Sequence, residues 1–153
     1  MEIERKFLVR GDYKPYVKNS IRIIQAYLSS VPERTVRLRM IGDQGFLTIK
    51  GVGSKSGLSR FEWEIEIKKE DVENLLEICE PGIIEKTRQI IPVQGHLFEV
   101  DEFHGDNEGL IVAEIELTAE DEPFEKPDWL GEEVTGHLKY YNAMLKQNPY
   151  KNW

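Results

Sequence analysis

Apolar and charged residues alternate with a period of two through most of this chain, and β-strands are the structure that puts alternate residues on opposite faces. Val36, Leu38 and Met40 oppose Arg37 and Arg39. Phe61, Trp63, Ile65 and Ile67 oppose Arg60, Glu62, Glu64 and Glu66. Leu47 and Ile49 oppose Thr48 and Lys50, and Ile24, Ala26 and Leu28 oppose Gln25 and Tyr27. Phe98 and Val100 oppose Glu99 and Asp101, Ile111, Ala113, Ile115 and Leu117 oppose Glu114 and Glu116, and Lys86 and Arg88 share one face. The pattern predicts strands over 2–9, 20–30, 34–41, 45–50, 58–68, 83–93, 96–104 and 110–118. Turn sequences separate several of them, among them Gly42 to Gly45, Gln94-Gly95 and Gly105 to Gly109, with a longer flexible connection over 51–57. Short antiparallel connections place the chain in the mainly β (α+β) class, as a barrel or a sandwich.

Helical segments are few. Lys69-Glu70-Asp71 opens one that carries Val72, Leu75, Leu76 and Cys79, stopped by Pro81-Gly82. Thr135 is placed to cap a last helix near 136–146, and a turn of helix is expected near 14–18. Pro123, Pro127 and several acids predict a loop over 120–132. The 153 residues fit one domain, 1–153. No apolar run approaches the roughly 20 residues of a membrane helix, so no membrane partner is expected. Net charge of −8 argues against nonspecific nucleic-acid binding. Lone Cys79 fits a reducing cytoplasm, with a packing role.

Two architectures satisfy the alternation. In one, apolar faces make the core and charges face water. In the other, charges line a wide tunnel, and helices or a partner cover the apolar outside. Patterning alone favours the first, because charged strand faces are common. Charge content favours the second. The polar faces hold Lys6, Arg37, Arg39, Lys50, Arg60, Lys86 and Arg88, against Glu2, Glu4, Glu62, Glu64, Glu66, Glu99, Asp101, Glu114 and Glu116. The signs are sorted by strand, which a solvated surface gains little from. A site that grips a polyanion on one wall and metal ions on another requires that sorting. At the N-terminus, Glu2, Glu4 and Lys6 share one strand face, which suits carboxylate oxygens on a hard cation and an ammonium on phosphate.

The ordered set of motifs resembles the CYTH, or triphosphate tunnel metalloenzyme, family. Its hallmark Glu-x-Glu-x-Lys is matched by Glu2-Ile-Glu4-Arg-Lys6. Gln25-Ala-Tyr27, Arg37-Leu-Arg39, Thr48-Ile-Lys50-Gly51, Arg60-Phe-Glu62-Trp-Glu64, Lys86-Thr-Arg88, Glu99-Val-Asp101, Glu114-Ile-Glu116 and Tyr140-Tyr-Asn142 continue it. Lys139 departs from the arginine expected there and lacks its planar two-point grip. The resemblance implies an eight-stranded antiparallel barrel forming a charged tunnel with a few flanking helices. It implies metal ligands at Glu2, Glu4, Glu114 and Glu116. Glu62, Glu64 and Asp101 are either ligands of a second metal or residues that orient the basic ones. Lys6, Arg37, Arg39, Lys50, Arg60, Lys86, Arg88 and Lys139 would bind phosphate. Glu4, Lys86 and Tyr27 are candidates for the chemical step, the Tyr27 hydroxyl positioning a water or a phosphate oxygen.

The implied activity is Mg²⁺- or Mn²⁺-dependent hydrolysis of a small-molecule triphosphate, with inorganic tripolyphosphate the first candidate; a homodimer is a further expectation. Adenylate cyclase and thiamine or nucleoside triphosphatase are the alternatives within the family, and a non-catalytic polyphosphate or nucleotide sensor is the alternative outside catalysis. The full set of acids favours an enzyme. His96, His104 and His137 have no metal-ligand spacing, and no P-loop is present. Trp63, Trp129 and Trp153 are expected to be packing or edge residues.

Overall fold

The computed structural model describes residues 1–153. Nine strands form one sheet: β1 (Glu2–Val9), β2 (Asn19–Ser29), β3 (Arg34–Ile41), β4 (Gln44–Gly53), β5 (Ser59–Ile67), β6 (Ile84–Val93), β7 (His96–Phe103), β8 (Ile111–Glu116) and β9 (Leu130–Glu133). Their order is β5-β4-β3-β2-β6-β7-β8-β1-β9, and β5 also pairs with β1. That last pairing, Glu2 with Arg60 and Ile3 with Ser59, closes eight antiparallel strands into a barrel. The other end of the same edge of β1 receives β9, at Phe7 and Val9. One edge of β1 is therefore shared between closing the barrel and holding the ninth strand.

Turn chemistry matches the sequence. Gln94 and Gly95 both have positive φ, as the two-residue turn of a twisted hairpin between β6 and β7 requires. Helix α1 (Lys69–Leu76) lies against β3 and β4. Its buried Val72 comes so close to Gly45 that a Cβ there would stand 2.5 Å from Val72 Cγ2. Glycine at that position is what lets the helix dock.

The charged faces point inward and the apolar faces outward. The main apolar cluster lies outside the barrel wall, where Phe7, Ile91, Phe98, Val100, Ala113 and Ile115 are covered by Tyr13, Phe124 and Trp129 from the connecting segments and by Leu130 of β9. A second cluster, Ile84, Phe103, Leu110, Val112 and Leu145, joins β6, β7 and β8 to the C-terminal segment. Over β5 the outer face is bare, with Phe61 55%, Trp63 47% and Ile65 45% exposed. Trp63 is thus only half packed, while Trp129 is buried.

Four local expectations are corrected. The stretch 120–132 is not all loop, since it leads into β9. The helix predicted over 136–146 is broken into a 3₁₀ turn at Leu138–Tyr140 and α2 (Asn142–Leu145). Thr135 caps neither: its hydroxyl accepts the Lys6 N–H and donates to Glu133. Helix α1 ends before Cys79, which lies half-buried past its end. No helix is long and apolar enough to cross a membrane.

Candidate functional site

Strand parity assembles the site. Glu4 and Lys6 on β1, Tyr27 on β2, Arg37 on β3, Lys50 on β4, Arg60 on β5, Lys86 and Arg88 on β6 and Glu114 on β8 all line one cavity inside the barrel. Seven strands thus supply nine predicted residues to one space. Glu2, Arg39, Glu62, Glu64 and Asp101 stand behind these as ion-pair partners. Glu116 is exposed at the end of β8, in register with Glu4. Lys139 stands apart: its ammonium is exposed and lies 4.4 Å from the Trp153 ring centre.

Every acid of the second group contacts a cation. Glu2 accepts from Lys50 at 2.8 Å, and Glu62 lies 3.6 Å from the same ammonium. Glu64 accepts from Arg39 at 3.2 Å and from the Thr48 hydroxyl at 2.5 Å. Asp101 takes two parallel bonds from Arg88, at 2.8 and 3.0 Å, and lies 2.7 Å from Lys86 Nζ. Glu99, unassigned by sequence, takes a further bond from Arg88 at 3.1 Å.

Even so, the basic wall is not fully satisfied. The Nε donors of Arg37 and Arg39 are buried without any acceptor. A buried donor left unmet costs about 1–3 kcal/mol, so such donors mark a place for an acceptor that binds from outside. Burial, then the neighbouring Arg37 and Arg88, brings the Arg39 guanidinium down to about 10. Burial and neighbouring cations disfavour the charged form of Arg39, and a bound anion would favour it.

The acidic wall shows the converse. Burial and then Glu114 push the Glu4 carboxyl up to about 8. Burial acts to raise Glu114 as well, but Lys6, Arg88 and Lys86 hold it well below the usual carboxylate range. The two carboxylates therefore behave as a pair that retains one proton. A hard divalent cation would replace that proton, and all-oxygen donors suit Mg²⁺ or Mn²⁺. No three acidic or imidazole groups converge on one point. Two carboxylates suffice for Mg²⁺, which fills its remaining positions with water and substrate phosphate oxygens. The residues present fit the ion on those terms.

Burial lowers the Lys86 ammonium to about 8, with Asp101 opposing. For Lys6, burial acts downward, but Glu114 and Glu4 leave it raised. Tyr27 is buried, its hydroxyl accepts from Gln25 Nε2 at 3.1 Å, and burial raises it. Sequence reasoning assigned no role to Tyr141 and Asn142, which line the cavity from the C-terminal segment. They lie outside any strand, so face parity says nothing of them; the only signal was their place in the Tyr140-Tyr-Asn142 motif.

Comparison with known proteins agrees with this geometry. A family model of the CYTH domain matches residues 1–146. An inorganic triphosphatase from Acetivibrio thermocellus is 45% identical over 153 residues, spanning 99% of this chain and 97% of its own. An inorganic triphosphatase from Nitrosomonas europaea is 39% identical over 149 residues, spanning 94% of this chain and 95% of its own. The crystal structure of an inorganic triphosphatase, 35% identical, superposes with a TM-score of 0.66 over 94% of this chain and 96% of the other.

Proposed function

The chain belongs to the CYTH domain family, and we propose that it is a divalent-metal-dependent triphosphatase that hydrolyses inorganic tripolyphosphate to pyrophosphate and phosphate. The observation that carries this reading is the pair of orphaned guanidinium Nε donors, on Arg37 and Arg39, in a barrel interior lined by further cations. The two relatives named above as inorganic triphosphatases support the choice of substrate.

Lys6, Arg37, Lys50, Arg60 and Arg88 reach the cavity from five different strands, so they can meet phosphate oxygens from several directions. Glu62, Glu64 and Asp101 orient Lys50, Arg39 and Arg88, a role their contacts at 3.6, 3.2 and 2.8 Å support over service as ligands of a second metal. Lys86 aims an ammonium at the reacting phosphoryl group. The Tyr27 hydroxyl, backed by Gln25, is placed to hold a water or a phosphate oxygen. Glu4 and Glu114, with Glu2 nearby, would hold Mg²⁺ or Mn²⁺, with Glu116 available at the exposed end of β8. When bound, the ion neutralises charge on the phosphoryl oxygens. Phosphoryl transfer to water needs mainly positioning and charge stabilisation, and a rigid barrel supplies both. The lone free Cys79 supports action in a reducing cytoplasm.

The test is phosphate release from tripolyphosphate, ATP and thiamine triphosphate, each with Mg²⁺ and with Mn²⁺, with cyclic AMP formation assayed alongside. Preferential, metal-dependent release from tripolyphosphate is expected. Preferential turnover of ATP, or cyclic AMP as the product, would replace this reading with a nucleotide-directed one.

A further inference from the structure

We propose that Asn142 is a positioning residue for the Lys86 ammonium, and that its lack of charge is what suits it to that task. The inference deepens the triphosphatase reading and rests on it. Lys86 is 1% exposed. Its Nζ lies 2.7 Å from Asp101 Oδ2 and 3.0 Å from Asn142 Oδ1, with the Phe103 ring centre at 5.5 Å. An ammonium has three N–H donors. Two directed at Asp101 and Asn142 leave the third for the cavity that Lys86 lines.

The residues beside Asn142 treat another cation the same way. The Tyr140 carbonyl accepts from Lys6 Nζ at 3.5 Å. The Tyr141 ring centre lies 4.9 Å from Lys6 Nζ and 5.8 Å from Arg60 Cζ. Three consecutive residues of the C-terminal segment thus hold cavity cations, and none is a carboxylate. Fully buried Leu145, one helical turn on, anchors the segment in the second apolar cluster.

Neutrality matters because the substrate is a polyanion. A carboxylate at position 142 would fix the same ammonium but cancel part of the field that attracts phosphate. Asp101 already supplies one such charge. An amide oxygen sets direction while leaving the charge in place. The loss of direction and the loss of charge therefore separate by variant. Asn142→Asp keeps the acceptor oxygen and adds a charge. Asn142→Leu keeps the volume and removes the acceptor.

Steady-state kinetics on tripolyphosphate with saturating Mg²⁺ distinguish the two. For Asn142→Asp, KM is expected to rise about tenfold with kcat within about threefold of wild type. For Asn142→Leu, kcat is expected to fall about tenfold or more with KM within about threefold. KM does not depend on the fraction of enzyme that is folded, so the aspartate readout survives partial instability. If both variants lose kcat alike, or if the leucine variant matches wild type, Asn142 only packs and the proposal is overturned. A wild-type enzyme with no tripolyphosphate turnover would instead remove the triphosphatase reading, and this inference with it.

Discussion

Glu4 and Glu114 share the barrel interior, and burial together with the Glu114 charge pushes the Glu4 carboxyl up to about 8. Between its ordinary 4.5 and that value, the folded protein keeps a proton that the unfolded chain has released. Glu2 and Glu99 are also raised, first by burial, and act in the same direction. Stability of the metal-free protein should therefore fall as pH rises through this window, by at most about 1.4 kcal/mol per pH unit for each proton. Lys86 reverses the sign above it. Its ammonium is lowered to about 8 from 10.5, so there the unfolded chain binds the extra proton and stability recovers. Melting temperatures in a chelator should pass through a minimum near pH 8. A steady rise from pH 5 to pH 8 would contradict the Glu4 environment described here.

Replacing Glu4 by Gln should abolish metal-dependent turnover and leave the fold intact. Gln keeps the shape but cannot ionise to meet a metal ion. The metal supplies several kcal/mol of charge stabilisation, so its loss costs orders of magnitude in rate. The same variant should flatten the pH-dependence of melting between about pH 5 and 8, because the proton that Glu4 retained is gone. Near-wild-type activity at saturating Mg²⁺ would strike Glu4 from the ligand set.

Arg39→Ala should weaken tripolyphosphate more than it weakens monophosphate. Arg37 and Arg39 stand about 7 Å apart along one strand face, enough to address neighbouring phosphoryl groups. Each charge-assisted bond to a desolvated guanidinium is worth roughly 1.5–3 kcal/mol, on the order of tenfold to a hundredfold in affinity. The deletion also strips Glu64 of its 3.2 Å partner and adds net repulsion toward any polyanion. Equal losses for both ligands would show that these arginines do not read chain length.

The strands were legible because period two survives whatever the tertiary context, and the observed strands keep Glu4, Lys6, Arg37, Lys50, Arg60, Lys86, Arg88 and Glu114 on the inward face. Direction was not legible from alternation alone, since a pattern of alternate faces is symmetric between inside and outside. It took the sorting of charge by strand, and the ordered motifs, to favour a charged interior. Closure was not legible from alternation either, and came only with the family resemblance: it depends on Glu2 and Ile3 pairing with residues nearly sixty positions away. Strand β9 was missed because Leu130-Gly-Glu-Glu133 carries one apolar residue and follows Pro127. Lys139 looked like part of the basic set by position, but the 3₁₀ turn at Leu138–Tyr140 sends its ammonium to Trp153. Asn142 sits on a one-turn helix, where neither strand parity nor helical periodicity has room to speak.

Tripolyphosphate should raise the melting temperature of the protein by acting on the inward-facing cations. Lys6, Arg37, Lys50, Arg60, Lys86 and Arg88 share one cavity. Arg39 is brought down to about 10 by burial and then by two of its cationic neighbours. A bound polyanion relieves that crowding and meets the orphaned Arg37 and Arg39 donors in the folded state alone. At about 100 times the dissociation constant, mass action gives roughly 2.7 kcal/mol of stabilisation. In a domain of this size that corresponds to a shift of several degrees, which thermal unfolding resolves. Ca²⁺ in place of Mg²⁺ is the condition of choice, so that ligand survives the scan; intact tripolyphosphate at the end is checked directly. Because the contacts lie inside the barrel, the shift should persist in moderate salt, where surface ion pairs are screened. A shift lost at moderate salt, or none at millimolar ligand, would mean that the interior does not receive the polyanion.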